Sequence, residues 1–362
     1  MSELQNARET INQVDKEMAR LFELRMDAVK QVAAYKKENG LPIDDFGRED
    51  EIVKRNAEYI SNGEYRAYYV NFLKNNIKLS KDMQHKLLEG MKVAYSGVEG
   101  AFANIAAKRI FPDANCMPYS DFKSAYRAVE KGECDCVILP IENSFNGDVG
   151  SVLDLVFFGS LYINGVYEAE VVQNLLGVKG TVLTDVKKVI SHSQALGQCA
   201  SFIEKHGFET ENAVNTAVAA KYVSEMGRKD VAAIGSIEAS RQFGLEVISG
   251  HINDSNTNTT RFAIFSRSNR QPSAADDRFI MLFTVKNAAG SLGKAISVIG
   301  QHGFNLRALK SRPTKELIWD YFFYVEGEGN INSWQGKAML EQLKDCCSNL
   351  KIVGSFEKEI HI

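Results

Sequence analysis

Apolar side chains recur along residues 3–38 at alternating spacings of three and four: Leu4, Ala7, Ile11, Val14, Met18, Leu21, Ala28, Val32 and Tyr35. That is the period of a helix with one apolar seam. No proline or glycine interrupts it before Gly40. At ~1.5 Å per residue the helix is roughly 54 Å long, more than a domain of this size is across. A seam that outreaches its own domain needs a partner chain, so an intertwined dimer is expected. Helical stretches at about 46–61 and 64–88 complete an all-helical unit over residues 1–90.

The pattern changes at Met91. Lys92–Gly97 reads as a strand entering a glycine turn, and short apolar strands then alternate with helical stretches to about 268. Strands are expected at 136–140, 186–191 and 231–235, and helices at 120–131, 195–206 and 216–225. Alternation of this kind gives α/β layers with ligands at strand ends, here over residues 91–270. Gln271–Asp277 is a polar linker. Residues 276–362 follow as strand 278–286, helix 291–302, strands 305–312 and 317–327, helix 333–346 and strand 350–356, the split-βαβ ferredoxin-like order.

At 362 residues the chain is long enough for two or three domains. Its 43 basic and 46 acidic side chains nearly cancel, which argues against nucleic-acid or membrane partners. The six cysteines lie in no zinc or disulfide spacing, as expected of reduced thiols in the cytoplasm. The N-terminus has no apolar signal core, and no run approaches the ~18 apolar residues of a membrane span.

One position breaks the seam of the first helix. The spacing calls for an apolar residue at 25, and Arg25 stands there. A guanidinium on an apolar face needs an anion. Lys36 lies about three turns on and nearly on the same face, with Arg8 beside the seam. Asp45, Arg48 and Glu49 open the second helix, and Ser80 and Gln84 are one turn apart on the third. Arginine forks suit a small dicarboxylate. With no activated nucleophile, and neither cofactor nor metal called for, the set fits a reaction driven by folding and polarising a substrate. Surface pairing on a solvated coiled coil would explain Lys36 or Arg8, but not Arg25.

These residues, Arg8-x-x-Ile11-x-x-x-Asp15, Arg25, Lys36, Asp45, Arg48-Glu49 and Ser80-x-x-x-Gln84, resemble the all-helical chorismate mutases. The resemblance implies that Arg25, Arg48 and Arg8 (from the partner subunit) bind the carboxylates of chorismate. Lys36 and Gln84 would polarise the breaking ether oxygen, Glu49 and the backbone near Asp45 would hold the ring hydroxyl, and Ser80 would contact substrate.

Four polar clusters flank the strands of the middle region: Gly97–Asn104, Pro140–Gly147, Ser191–Cys199 and Asn258–Phe262. Glycine turns opening helices present amides to anions. Together, above all in Pro-Ile-Glu-Asn-Ser and Thr-Arg-Phe, the clusters resemble the prephenate dehydratases, whose two lobes are similar to periplasmic binding proteins. The lobes would comprise about 92–166 plus 243–268, and about 167–242. The implied reaction converts prephenate to phenylpyruvate, with loss of carbon dioxide and water. Thr260 would meet the ring hydroxyl, Arg261 a carboxylate, and Glu142, Asn143, Ser144, Ser191, Gln198, Thr216 and Phe262 would line the cleft.

Residues 278–356 resemble ACT domains, with Gly290-Ser291-Leu292 and Ser311-Arg312-Pro313 as the motifs and Lys310 in place of an acidic residue. Asn305 and Leu306 fit at a strand start. The resemblance implies phenylalanine as an allosteric effector at Gly290, Ser291, Leu292, Asn305, Leu306, Ser311 and Arg312. A bifunctional enzyme of phenylalanine synthesis is thus expected, a homodimer whose pairing into a tetramer the sequence leaves open. Two alternatives remain: arogenate as the dehydratase substrate, and a non-catalytic amino-acid-binding regulator.

Overall fold

The computed structural model describes residues 2–44, 46–255, 257–313 and 321–362. They fall into two compact units, 1–92 and 93–362. Among the described residues no helix is long and apolar enough to cross a membrane.

The first unit is three helices: α1 (Glu3–Asn39), α2 (Phe46–Ala57) and α3 (Gly63–Glu89). Ser2 and Gln5 form a capping box at the start of α1, and Gly40 ends it in the left-handed conformation, φ 63°. α1 packs on α3 through buried Val29, Ala33 and Leu73. Most of its seam is uncovered: Leu4, Ile11, Val14 and Leu21 are each at least half exposed. Isolated single helices gain most of their stability from tertiary packing, so this seam lacks its complement.

The second unit opens with β1 (Lys92–Ser96), α4 (Phe102–Ile110), β2 (Asn115–Tyr119), α5 (Phe122–Lys131) and β3 (Cys136–Asn143). β4 (Gly147–Asp148), α6 (Gly150–Phe158) and β5 (Tyr162–Glu170) complete the first pass through lobe one. Lobe two contains β6 (Asn174–Gly177), β7 (Lys188–Ser191), α7 (Ser193–Gln198), α8 (Ala200–His206) and β8 (Glu209–Asn212). It continues with α9 (Thr216–Met226), β9 (Val231–Gly235), α10 (Ile237–Phe243) and β10 (Glu246–Ser249), in strand order β10-β6-β9-β7-β8. The chain then returns to lobe one as β11 (Thr259–Ser266), between β5 and β3. Residues 243–249, expected in lobe one, belong to lobe two, because β10 pairs with β6.

The two crossings between lobes are bonded to each other. Gln173 N–H donates to the Asn253 side chain at 2.7 Å, and Val171 N–H to the Asn258 carbonyl at 2.8 Å. Asp254, on the return crossing, also divides the helix expected at 195–206. Its N–H bonds the Gln198 carbonyl at 2.8 Å and its carboxylate accepts from Ser201 N–H at 3.2 Å, so it ends α7 and caps α8.

The C-terminal elements are β12 (Arg278–Thr284), α11 (Ser291–Gln301), β13 (Asn305–Pro313), β14 (Tyr321–Glu328), α12 (Trp334–Leu343), β15 (Ser348–Phe356) and β16 (Ile360–His361). The first four strands form an antiparallel sheet in the order β13-β14-β12-β15. β12 is an unbroken apolar run because both of its faces are covered. Phe279, Met281 and Phe283 pack with Ala295, Ile299 and Met339 of the sheet's own helices. Ile280 and Leu282 share a core with Val152, Leu153 and Val156 of lobe one. The domain therefore does not separate from lobe one as a unit of its own. Phe157 stacks on Phe322, centroids 3.9 Å apart. Gly354 lets β15 lie on β5, since a Cβ there would come within 1.9 Å of the Ile163 carbonyl oxygen. β16 then adds to lobe one's sheet, parallel to β5.

Candidate active sites

In the helical unit Arg25 points at α3. Its guanidinium donates to the Asn76 carbonyl at 3.1 Å and to the Ser80 hydroxyl. Among the described residues these partners are neutral, and burial alone lowers its pKa. Gln84 is buried one turn below, donating to the Ser80 carbonyl at 3.4 Å while its Oε1 has no partner among the described residues. Lys36 reaches the Ile43 carbonyl at 2.7 Å. Glu49 pairs with Lys81 at 2.9 Å, and Lys81 also holds Asp44 at 2.5 Å. Lys81 was missed in the sequence because nothing in its spacing marks it; it follows Ser80 directly. Arg48 is exposed, and Asp45 lies outside the described residues. Beside Arg25 an open groove of about 990 Å³ is walled by Asp15, Phe22, Tyr65, Tyr68 and Phe72. Arg8 is exposed on the same continuous α1, about 25 Å along the axis from Arg25 at ~1.5 Å per residue.

The second site is a cleft of about 600 Å³ between the lobes. Thr260 and Phe262 of β11 and Asn143 of β3 line one wall, and Gln194, Gln198, Val214 and Thr216 the other. Thr260 and Asn143 are register partners, and Asn143 Nδ2 donates to Thr260 Oγ1 at 2.9 Å. The other end of that amide is fixed: Oδ1 accepts from the N–H groups of Phe145 and Asn146, both at 3.0 Å. Since Thr260 Oγ1 already accepts, its own O–H is available to donate into the cleft.

Four helix N-termini meet this cleft, those of α4, α6, α7 and α9. Ala101 at the start of α4 makes no side-chain cap, leaving that helix's first amides open. His192 and Asn215 cap α7 and α9. His192 is thus an acceptor for Gln194 N–H, at 3.3 Å, and part of the cleft lining. At the first turn Gly97 and Gly100 both have positive φ, 107° and 84°, and the Gly100 amide is taken by Asn104 Oδ1 at 3.1 Å. No lysine or arginine is among the described lining residues, so helix ends supply the positive potential.

Four expected cleft residues are elsewhere. Side chains alternate along a strand, so Arg261 points away from the face that carries Thr260. It meets Glu142 at 2.8 Å, Glu326 at 2.8 Å and Glu359 at 2.8 Å. Burial opposes its charge, but the carboxylates outweigh it and raise its pKa. Glu142, its register partner, is turned away with it. Ser144 accepts from Thr259 N–H at 2.9 Å and donates to the Thr257 carbonyl at 2.8 Å, tying two loops rather than facing the cleft. Ser191 is fully buried and spans β7 to β9, donating to the Ile234 carbonyl at 2.7 Å. Sequence reasoning passed over Gln173 and Asp148, which do line the cleft. Gln173 donates to Gln198 Oε1 at 3.2 Å while its own Oε1 is buried without a partner among the described residues. No motif marks Gln173, which sits on a crossing.

In the C-terminal sheet Gly290 starts α11 with φ 81°, preceding Ser291 and the half-buried Leu292. Asn305 donates to Glu328 at 2.9 Å, Leu306 packs on the helix-side core and Ser311 is exposed. Arg312 is engaged by Asp154 at 2.7 Å.

Residues 93–270 match the family described as prephenate dehydratase, and 7–85 that described as chorismate mutase type II. A bifunctional chorismate mutase/prephenate dehydratase of Aquifex aeolicus is 31% identical, over 99% of each chain. Arogenate dehydratase 2 of Petunia hybrida is 32% identical over 77% of this chain and 75% of its own. A solved prephenate dehydratase from Arthrobacter aurescens, in complex with L-Phe, superposes with a TM-score of 0.69 at 25% identity, covering 74% of this chain and 90% of that one.

Proposed function

Because this chain belongs to the family of bifunctional chorismate mutase/prephenate dehydratases, we infer that its helical unit rearranges chorismate and its cleft converts the product to phenylpyruvate. The observation that carries the dehydratase half is the Thr260 hydroxyl, oriented by Asn143 in a cleft edged by helix N-termini. The substrate's carboxylates sit at those helix ends, in place of the arginine contact expected from Arg261. Thr260 donates a hydrogen bond to the ring hydroxyl. As the ring carboxylate leaves as carbon dioxide, its bonding electrons enter the ring and expel the hydroxyl, which departs as water with one proton taken up from solvent through the Thr260 hydroxyl. Aromatisation drives the step, so orientation and one donor suffice. Gln198, Gln173 and Thr216 position the rest of the substrate, and Phe262 shields the ring.

In the helical unit Arg25, Lys36, Arg48, Glu49, Ser80 and Gln84 hold chorismate folded, with the second Nε2 hydrogen of Gln84 donating to the ether oxygen. A continuous α1 keeps Arg8 far from Arg25 of its own chain, so Arg8 serves the site of a second copy. The uncovered seam is the surface through which that copy joins. The C-terminal βαββαβ unit is read as an ACT domain that binds phenylalanine near Gly290, Ser291, Leu292, Asn305, Leu306 and Ser311. The L-Phe bound by the Arthrobacter aurescens protein supports that ligand.

The test is a coupled assay from chorismate, with and without phenylalanine, run beside prephenate and arogenate as separate substrates. Phenylpyruvate from both chorismate and prephenate, suppressed by phenylalanine, is expected. Prephenate accumulation alone removes the dehydratase half, and faster turnover of arogenate reassigns its substrate.

A further inference from the structure

We propose that Asn258 is a positioning residue for the dehydratase step: its side-chain oxygen takes the second hydrogen of the Asn143 amide, and so holds that amide on the Thr260 hydroxyl. This rests on reading the cleft as the prephenate site.

Backbone groups set the polarity of this chain of amides. Asn143 Oδ1 accepts from the N–H groups of Phe145 and Asn146. Its Nδ2 therefore faces the other way, where Thr260 Oγ1 lies at 2.9 Å and Asn258 Oδ1 at 3.0 Å. An amide nitrogen carries two hydrogens, so one serves each acceptor. Because Asn143 donates, Asn258 has to present its oxygen, and its own Nδ2 is turned elsewhere. That nitrogen is buried without a partner among the described residues, in a side chain only 4% exposed.

A buried amide with an idle donor is a poor stabiliser, since an apolar side chain of similar size would leave no donor unpaired. Stability therefore does not account for asparagine at 258. Its acceptor does. Without it the freed hydrogen of Asn143 has the Thr259 carbonyl to turn to, at 3.2 Å, and turning there loosens the hold on Thr260 Oγ1. Asn258 also lies on the return crossing between the lobes, and its backbone carbonyl accepts from Val171 N–H of the outward crossing at 2.8 Å. One residue thus ties both crossings to the hydroxyl that meets the substrate.

The experiment is steady-state turnover of prephenate, with thermal unfolding, by the full-length chain, Asn258→Leu, Asn258→Asp, Thr260→Ala, and Asn258→Leu combined with Thr260→Ala. Asn258→Leu is expected to lower kcat about tenfold, the worth of one hydrogen bond, with KM within about twofold and Tm unchanged or raised. Asn258→Asp keeps the acceptor but buries a charge, so it retains kcat within about threefold at a lowered Tm. Added to Thr260→Ala, Asn258→Leu lowers kcat no further, because it acts through that hydroxyl. Chorismate rearrangement stays at the wild-type rate throughout. Wild-type kcat in Asn258→Leu overturns the proposal, as does a further loss in the combined variant or an Asn258→Asp chain as slow as Asn258→Leu. A fall in kcat of Asn258→Leu that comes with a lowered Tm marks a purely structural role and overturns it too. A wild-type chain without prephenate turnover overturns the reading of the cleft itself, and the role of Asn258 with it.

Discussion

Arg261 closes a two-pronged pair on Glu326, with Nη1 and Nη2 lying 3.2 and 2.8 Å from the two carboxylate oxygens. The link joins the strand that carries Thr260 to β14 of the C-terminal sheet. Both carboxylates that flank it from that sheet and its C-terminal extension, Glu326 and Glu359, are at most 5% exposed. Removing the guanidinium leaves buried charges uncompensated, a loss of about 3–5 kcal/mol. Arg261→Met is therefore expected to lower the denaturant midpoint of the second unit, while the helical unit keeps chorismate rearrangement. Equal unfolding curves for the variant and wild type would refute the assignment of Arg261 to the fold.

Thr260 is different, because its hydroxyl faces the cleft. Thr260→Ala should lower kcat for prephenate about 10²-fold, the usual effect of losing one oriented donor, with little change in unfolding. Thr260→Ser keeps the hydroxyl and should retain most of the rate. A serine variant as slow as the alanine variant argues that the threonine methyl, not the donor, matters.

A shared mutase site has a distinctive signature in mixtures. Arg8→Ala and Arg25→Ala should each be inactive toward chorismate, because each homodimer lacks one member of both sites. Co-refolded together, half of the dimers carry one complete site, and about a quarter of wild-type activity returns. No recovery on mixing points to sites built within single chains.

Acid should loosen the second unit before the first. Burial opposes ionisation of Glu142, but Arg261 and Lys310 outweigh it and hold the carboxyl below its ordinary 4.5. Burial likewise opposes Glu359, and its own backbone amide with Arg261 and Arg307 outweighs that. The folded chain then binds fewer protons than the unfolded chain, so stability rises with pH through the acid range. The contribution is complete above the unfolded value and is lost as pH falls through the lower folded values. Denaturant midpoints measured from neutral pH downward should show this slope in wild type and a weaker one in Arg261→Met. Parallel curves would separate the carboxyls from Arg261.

Much of this was legible in the residues. The seam of α1, its break at Arg25, the strand-to-helix clusters and the βαββαβ order all follow from local periodicity and turn chemistry. Thr260, Asn143, Gln198 and Thr216 do meet in one cleft. Arg261, Glu142, Ser144 and Ser191 do not, and the motifs gave no warning. Adjacent strand residues face opposite ways, so a contiguous motif must divide between two environments.

The sequence by itself determined where the long helices, several middle strands and the C-terminal elements lie, which family the chain resembles, and that Arg25 needs an anion. Those are properties of neighbours a few residues apart. Only the tertiary structure decided which face of β11 meets the cleft, that the C-terminal sheet shares a core with lobe one, and that Asn258 meets Asn143. Each of these depends on pairing between segments far apart in the chain, where the packing of the whole unit, not local propensity, selects the partner.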